Sequence, residues 1–120
     1  MNIGKTGASG EDRVASLLRK SGCTIVKRNF QCRFGEIDII AETDEYILFV
    51  EVKTRKENSL VSGVESVNAK KQQRIMLTAE EYLSKTLCDK QPRFDVAEVT
   101  VFTRVDNSIG YNLNYIKNAF

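Results

Sequence analysis

The sequence predicts an α/β protein in which a central mixed β-sheet is flanked by helices. Two segments have the apolar spacing of helices, and five segments have the composition of strands, in the order α-β-β-β-α-β-β. One predicted strand, Tyr46–Lys53, is apolar on both faces for most of its length. A strand of this kind is covered on two sides, which indicates a sheet with packing on both faces.

The first half of the chain is predicted to contain one helix and three strands. The helix extends from about Thr6 to Ser21, and a short strand rich in β-branched residues covers Cys23–Arg28. Residues 29–34 are predicted to be a connection. The strands Gly35–Ile40 and Tyr46–Lys53 are separated by a link short enough for a hairpin, so we expect them to be antiparallel neighbours.

The second half is predicted to contain one helix and two strands. A polar loop over residues 57–63 is the segment that we expect to be most mobile. The second helix extends from about Ser66 to Lys85. The strands Phe94–Phe102 and Ile109–Tyr115 follow it, and they complete the mixed sheet.

Length and composition predict a single domain over residues 1–120. Hydrophobic residues make up 42% and charged residues 28% of the chain, which is typical of a soluble protein. No segment resembles a signal peptide or a membrane span, so we expect a cytoplasmic protein without a membrane partner. The three cysteines lack CxxC spacing, which argues against a disulfide framework and a zinc cluster.

Basic residues are concentrated locally although the formal net charge is only +2. Between residues 53 and 74, six basic residues stand against two acidic ones: Lys53, Arg55, Lys56, Lys70, Lys71 and Arg74 against Glu57 and Glu65. Such a patch is compatible with phosphate contacts in a nucleic acid. A solvated surface is the alternative interpretation of the same charges.

Charged residues also lie on faces that are predicted to point at the core. Glu11 shares the apolar stripe of the first helix with Val14 and Leu18. Lys71 lies on the apolar face of the second helix, near its N-terminus, where an anion is bound favourably. The alternatives are a buried, hydrogen-bonded glutamate and a lysine whose ammonium group reaches water.

Acidic and basic residues at the end of the predicted hairpin suggest a site for chemistry. Asp38 can face the same side as Glu51 on the neighbouring strand, and Lys53 shares the strand face of Glu51. Together with Glu11, the Asp38 and Glu51 carboxylates would form an oxygen-rich site that suits Mg²⁺ or Mn²⁺ and excludes a typical zinc site. Lys53 could then orient a nucleophile or stabilise charge on a phosphoryl oxygen, as phosphodiester hydrolysis requires. Simple ion pairs are the alternative.

The chain resembles the PD-(D/E)xK nuclease superfamily and, more closely, the YraN family of small bacterial nuclease-like proteins. The superfamily pattern is an acid, a gap, and then an acid two residues before a lysine on the paired strand. The residues that support the resemblance are Gly10-Glu11, Arg28-Asn29, Gly35-Glu36-Ile37-Asp38-Ile39-Ile40, Phe49-Val50-Glu51-Val52-Lys53-Thr54-Arg55, Lys71 to Ile75, Arg93-Phe94-Asp95-Val96 and Asn118-Ala119-Phe120. Ile37 stands where the superfamily name has proline.

This resemblance implies a restriction-endonuclease-like fold, similar to that of archaeal Holliday-junction resolvases. It also implies roles for individual residues. The acidic cluster would be Glu11, Asp38 and Glu51, with the Val52 carbonyl as a further metal ligand, and Lys53 would be the catalytic lysine. Lys71 and Gln72 would serve the motif on the second helix. Together with Arg55 and Arg74 of the basic patch, they are the residues that we predict to bind nucleic acid.

The residues and the resemblance together predict a Mg²⁺- or Mn²⁺-dependent endonuclease or nuclease-like protein that acts on DNA, branched DNA included. A non-catalytic nucleic-acid-binding module and a protein-interaction role are the alternatives. A homodimer is expected only by analogy, because symmetric cleavage of two strands favours a two-fold arrangement.

Overall fold

The computed structural model describes residues 3–57 and 67–120, which form a five-stranded sheet with two helices packed on it. The order α-β-β-β-α-β-β and the mixed α/β class are confirmed. The elements are α1 (Ile3–Lys20), β1 (Thr24–Cys32), β2 (Gly35–Glu42), β3 (Tyr46–Lys56), α2 (Ala69–Thr86), β4 (Gln91–Thr103) and β5 (Ile109–Ile116).

The strands lie in the sheet in the same order as in the chain, β1-β2-β3-β4-β5. The predicted antiparallel pairing of β2 with β3 is confirmed, and β1–β2 and β4–β5 are also antiparallel. β3 and β4 are parallel, because α2 lies in the connection between them. The sheet is therefore mixed, as predicted.

Two hydrophobic clusters cover the two faces of the sheet. Leu48 and Val50 of β3 belong to the cluster beneath α1, whereas Ile47 and Phe49 belong to the cluster beneath α2. Strict alternation of side chains along β3 produces this division. The prediction that this strand is covered on both sides is confirmed.

The prediction that residues 29–34 form a connection is wrong. β1 continues through Cys32, and only Arg33 and Phe34 lie between it and β2. Asn29 and Gln31 have low strand propensity, but backbone pairing with the apolar strand β2 outweighs that local preference. The β1–β2 hairpin therefore extends further than the sequence predicts.

The other predicted bounds differ by a few residues. α1 begins at Ile3, and α2 begins at Ala69 after Asn68, whose side chain accepts a hydrogen bond from the Lys71 amide at 3.0 Å. The predicted start of α2 at residue 66 and the predicted mobile loop at residues 58–63 lie outside the described residues. β4 begins at Gln91, ahead of Pro92, which is tolerated near the start of a strand. Neither described helix has the length and apolar character that a bilayer crossing requires.

Candidate functional site

The backbone pairing of β2 with β3 extends to Ile39 and does not include Asp38. The last pair is Ile39 with Val50, and beyond it the Asp38 carboxylate accepts a hydrogen bond from the Val52 amide at 2.7 Å. A side chain thus takes the place of a backbone carbonyl as partner of this amide. The replacement fixes Asp38 beside the part of β3 that contains Glu51 and Lys53.

Two apolar residues show that side-chain alternation is interrupted at Asp38. Ile37 belongs to the cluster beneath α2, whereas Ile39 belongs to the cluster beneath α1. In a regular strand, residues two apart would share one face. The irregularity lies at the aspartate itself, where the strand leaves β3.

The neighbouring strand has the matching irregularity at Asn29, a residue whose role the sequence analysis missed. Arg28 forms ion pairs with α1, whereas Phe30 packs edge-on against Tyr82 of α2 at a centroid distance of 5.2 Å. Asn29 lies between them with a φ of 54°. Asparagine tolerates this left-handed conformation better than most residues, and that preference was the signal available in the sequence.

Glu51 lies at the centre of the charged groups. Its side chain is almost buried, and its Oε1 lies 3.6 Å from the Nζ of Lys71 and 3.9 Å from the Nζ of Lys53. Burial and, next, repulsion by the Asp38 carboxylate raise the pKa of Glu51 to about 7. The two lysines oppose this increase. The prediction that Asp38 and Glu51 face the same side fits this electrostatic contact.

Lys53 and Lys71 approach the same glutamate from different elements. Lys53 belongs to β3, whereas Lys71 lies in the first turn of α2. Burial lowers the pKa of Lys53, the nearby Lys71 lowers it further, and the Glu51 carboxylate acts in the opposite direction. An ion pair between Glu51 and Lys53 was the alternative to a metal site, and the structure places both Lys53 and Lys71 within 4 Å of the Glu51 carboxylate.

Glu11 reaches this region from α1, on the side of the sheet opposite α2. α1 crosses β3 closely, because a Cβ atom on Gly10 would lie 2.5 Å from the Thr54 hydroxyl oxygen. The Glu11 carboxylate lies 3.6 Å from the Arg28 guanidinium. Burial and, next, the charge of Asp38 raise the pKa of Glu11, whereas Arg28 lowers it. Glu11 is therefore in electrostatic contact with Asp38, but it has an ion-pair partner of its own.

A cavity of about 540 Å³ opens between β2, β3 and the N-terminal part of α2. Its sheet wall includes Asp38 and Glu51, and its helix wall includes Lys70, Lys71 and Arg74. One wall is thus acidic and the other basic. This arrangement can hold a cation against the carboxylates and an anion against the helix.

Comparison with known proteins places the chain in a family. The sequence profile of the Uncharacterised protein family UPF0102 matches residues 10–99, which include Glu11, Asp38, Glu51 and Lys53. The chain belongs to the UPF0102 family. The YraN-like family membership that the sequence predicted is thereby confirmed.

Several UPF0102 proteins are similar to this chain over nearly its whole length. The UPF0102 protein of Clostridium acetobutylicum is 44% identical over 117 residues, which are 97% of this chain and 93% of that protein. A UPF0102 protein of Clostridium perfringens is 48% identical over 95% of this chain and 92% of its own length. That of Caldicellulosiruptor bescii is 43% identical over the full length of both chains.

Two residues that were predicted to bind nucleic acid have structural contacts in this UPF0102 protein. Arg55 pairs with Glu98 of the parallel strand β4, and Gln72 donates a hydrogen bond to the Val67 carbonyl at 2.9 Å. Neither side chain is among those that line the cavity in the described parts of the chain. Lys71 and Arg74, by contrast, lie in the cavity wall, where their positive charges can reach a ligand in the cavity.

Of the three acidic residues in the candidate site, Asp38 and Glu51 form a close pair, whereas Glu11 lies apart from them and pairs with Arg28. Within residues 3–57 and 67–120, no three acidic, histidine or cysteine side chains converge closely enough to form a preformed metal centre. Asp38 and Glu51 remain as the close pair, and Glu11 is held at Arg28. Mg²⁺ is commonly bound in proteins by one or two carboxylates together with water molecules, so this pair fits such an ion.

Proposed function

We propose that this chain is a divalent-metal-dependent endonuclease that hydrolyses phosphodiester bonds in DNA, branched DNA included. The observation that carries the proposal is the pairing of Asp38 with Glu51 opposite the basic wall of the cavity, with Lys53 beside Glu51. The set matches the acid, acid and lysine of the PD-(D/E)xK nucleases, which the sequence resembles. The restriction-endonuclease-like placement of the fold is part of the same proposal.

The donor set fits Mg²⁺ or Mn²⁺. Burial and, next, repulsion by the Asp38 carboxylate raise the pKa of Glu51. A divalent cation between the two carboxylates would relieve this repulsion and favour the ionised form of Glu51. Asp38 and Glu51 would hold the ion, the Val52 carbonyl is a further candidate ligand, and water molecules would supply the remaining ligands. A bound cation would supply positive charge next to the phosphoryl oxygens.

The other side chains have separate tasks in this proposal. Lys71 and Arg74 bind and orient the phosphate from the helix wall. Lys53, whose pKa is lowered, stabilises the charge that develops on the phosphoryl oxygen or accepts a proton from the attacking water. Glu11 adds negative charge near Asp38 and strengthens the local preference for a cation.

End-labelled duplex, single-stranded and four-way-junction DNA tests the proposal. Each substrate is incubated with Mg²⁺, with Mn²⁺ or with a chelator, and the products are separated on a denaturing gel. We expect metal-dependent cleavage by the wild type and loss of cleavage in Asp38→Asn and Lys53→Met. Asp44→Asn, which removes a charge near the opposite end of the same hairpin, is the matched control and retains cleavage. Cleavage that survives in Asp38→Asn would contradict the proposed site.

A non-catalytic nucleic-acid-binding module is the second candidate. Its specific support is that Lys53 and Lys71 already compensate much of the Glu51 charge, so the residues can persist as ion pairs. This candidate predicts salt-dependent DNA binding that Lys71→Ala weakens, and no cleavage with either metal. The same gels, combined with a binding titration at several salt concentrations, separate the two candidates.

A further inference from the structure

A second cavity of about 490 Å³ adjoins the first one at the β1–β2 hairpin. The two cavities share Gly35, Glu36 and Arg74 in their walls. Arg33 and Phe34, the two residues at the hairpin tip, complete the second cavity together with β1. An extended ligand that lies across the first cavity therefore has a continuous path to the hairpin tip.

The hairpin tip is held close to α2. Cys32 and Gly35 form the last pair of the β1–β2 ladder, and the Phe34 amide donates a hydrogen bond to the Cys32 sulfur at 3.4 Å. Gly35 has a φ of 154°, and a Cβ atom at this position would lie 3.4 Å from the Thr78 hydroxyl oxygen. The positive φ favours glycine at this turn, and a Cβ atom here would be in ordinary van der Waals contact with Thr78 and Arg74 of α2.

The tip presents an aromatic ring together with positive charge. The guanidinium of Arg33 lies over the Phe34 ring at 4.7 Å from its centroid. Neither Arg33 nor Arg74 has an ion-pair partner among the described residues. Glu36, the acidic residue in this wall, accepts a hydrogen bond from Gln31 at 3.3 Å. Two guanidinium groups therefore remain available for an anionic ligand next to a stacking surface.

We propose that Arg33, Phe34 and Arg74 form a subsite for one unpaired nucleotide next to the cleaved phosphate. The base stacks on the Arg33–Phe34 surface, and Arg74 binds the phosphate that links this nucleotide to the first cavity. A base inside a duplex has both faces covered by its neighbours, so only an unstacked base can use such a surface. This inference rests on the proposed function and narrows its substrate to nucleic acid with an unpaired nucleotide beside the cleavage position.

Binding measurements without cleavage test the subsite. Fluorescence anisotropy in the Asp38→Asn background and with a chelator compares a fully paired duplex with the same duplex containing one unpaired nucleotide. We expect about tenfold tighter binding of the second DNA, the size of effect that stacking on one aromatic ring provides. Phe34→Leu abolishes this preference and Phe34→Trp retains it, whereas Arg74→Ala weakens binding of both DNAs.

The chain offers a matched control on its other side. Arg104 lies over the Phe102 ring at 5.5 Å, in the β4–β5 hairpin. Phe102→Leu therefore removes a comparable arginine–aromatic pair and leaves the preference unchanged. Thermal melting of each variant confirms that the fold is retained.

The outcomes also separate this inference from the cleavage proposal. Equal affinity for the two DNAs, or a preference that survives in Phe34→Leu, overturns the subsite. If the wild type cuts DNA with metal and Phe34→Leu cuts both DNAs in the same ratio as the wild type, the subsite fails and the nuclease stands. If the preference depends on Phe34 but no DNA is cut, the subsite stands and the nuclease fails.

Discussion

The Asp38 carboxylate is hydrogen-bonded to the Val52 amide at the point where β2 and β3 stop pairing. One of its oxygens therefore has a structural task in addition to any ligand role. In Asp38→Asn the side-chain carbonyl can still accept this hydrogen bond, so we expect stability to change by less than about 1 kcal/mol. In Asp38→Ala the amide loses its partner, and the free energy of unfolding falls by about 1–3 kcal/mol.

Urea denaturation measures these two stabilities, and the cleavage assay measures function. Both variants are expected to lose cleavage by at least about 100-fold, since the loss depends on the charge and not on the hydrogen bond. Asp44→Asn serves as the reference for removal of one carboxylate from the hairpin. Equal destabilisation by asparagine and alanine would contradict the structural half of this prediction.

Glu51 gives the protein a defined pH dependence of stability. Its pKa is about 7 in the folded protein, against an ordinary value of 4.5, so the folded state binds this proton more tightly than the unfolded chain. The free energy of unfolding should therefore fall as the pH rises from about 4.5 to 7, and then level off. Glu11, whose pKa is also raised, acts in the same direction.

Glu51→Gln removes the larger part of this dependence. Relative to the wild type, the variant should gain stability of the order of 1–3 kcal/mol between pH 4.5 and pH 8 in the absence of metal. The chain contains no histidine, so no imidazole titrates in the same window. Urea titrations at half-unit pH intervals provide the test, with the exposed Glu80→Gln as reference. Parallel pH profiles of wild type and Glu51→Gln would refute the electrostatic account of Glu51.

Divalent metal should stabilise the wild type by relieving the same repulsion. At pH 8 and a Mg²⁺ concentration about tenfold above the Kd, we expect Tm to increase by about 3–6 °C. The increase should be largely absent in Glu51→Gln and Asp38→Asn, because each lacks one of the paired carboxylates. Differential scanning fluorimetry with Mg²⁺, with Mn²⁺ and with matched ionic strength from KCl makes the comparison. An equal shift in all three proteins would indicate non-specific ion binding.

The sequence predicts the parts of this site that depend on local periodicity. Alternation along β3 places Glu51 and Lys53 on one face, and helical spacing places Glu11 and Lys71 toward the sheet. These predictions need only the backbone geometry of one element at a time. The structure places Lys53 and Lys71 near Glu51, whereas Glu11 lies on the other side of the sheet and pairs with Arg28.

Other features could not be predicted, because they depend on pairing between distant segments. Arg55 finds Glu98 through the parallel contact of β3 with β4, which is set by a connection containing a helix. The irregularity at Asn29 of β1 and Asp38 of β2 depends on the point at which β2 stops pairing with β3. Local pattern gives no measure of such non-local geometry, so Arg55 was expected at the site and Asn29 was not.

Lys70 and Lys71 are adjacent in the helix wall but differ in their contact with Glu51. Lys71 lies 3.6 Å from the Glu51 carboxylate, and its charge lowers the pKa of that group. Lys71→Ala should therefore raise the pKa of Glu51 further, so that the loss of stability still begins near pH 4.5 but continues to higher pH. Lys70→Ala should leave the pH profile unchanged.

Binding to DNA provides the second comparison of these two lysines. If both contact phosphate, each alanine variant should reduce the slope of log K against log salt concentration by about 0.9. Anisotropy titrations over a range of KCl concentrations give this slope, and Lys85→Ala, on the last turn of α2, is the control. An unchanged slope in Lys71→Ala would remove this residue from the DNA interface.

Asp95 is a fully buried acid of a different kind, and it provides a contrast to Glu51. Arg93 donates two hydrogen bonds to it at 3.0 and 2.9 Å, the Tyr115 hydroxyl donates one at 2.6 Å, and the Asn118 amide donates one at 2.9 Å. This network ties the end of the chain to β4, where Phe120 also stacks on Phe94 at a centroid distance of 5.3 Å. Its partners satisfy the buried charge, which argues for a structural task.

Asp95→Ala should therefore destabilise the protein by about 3–5 kcal/mol, because Arg93 is left without its buried partner. The predicted cleavage per folded molecule should not change, since the network lies outside the cavity walls. Urea denaturation measures the stability, and cleavage at a temperature well below the Tm of the variant measures the activity. Arg93→Met should reproduce the destabilisation if the pair acts as a unit. If Asp95→Ala had normal stability but reduced cleavage, this structural interpretation would be wrong. The result would show that the network around Asp95 influences the candidate site directly, and not through the stability of the fold.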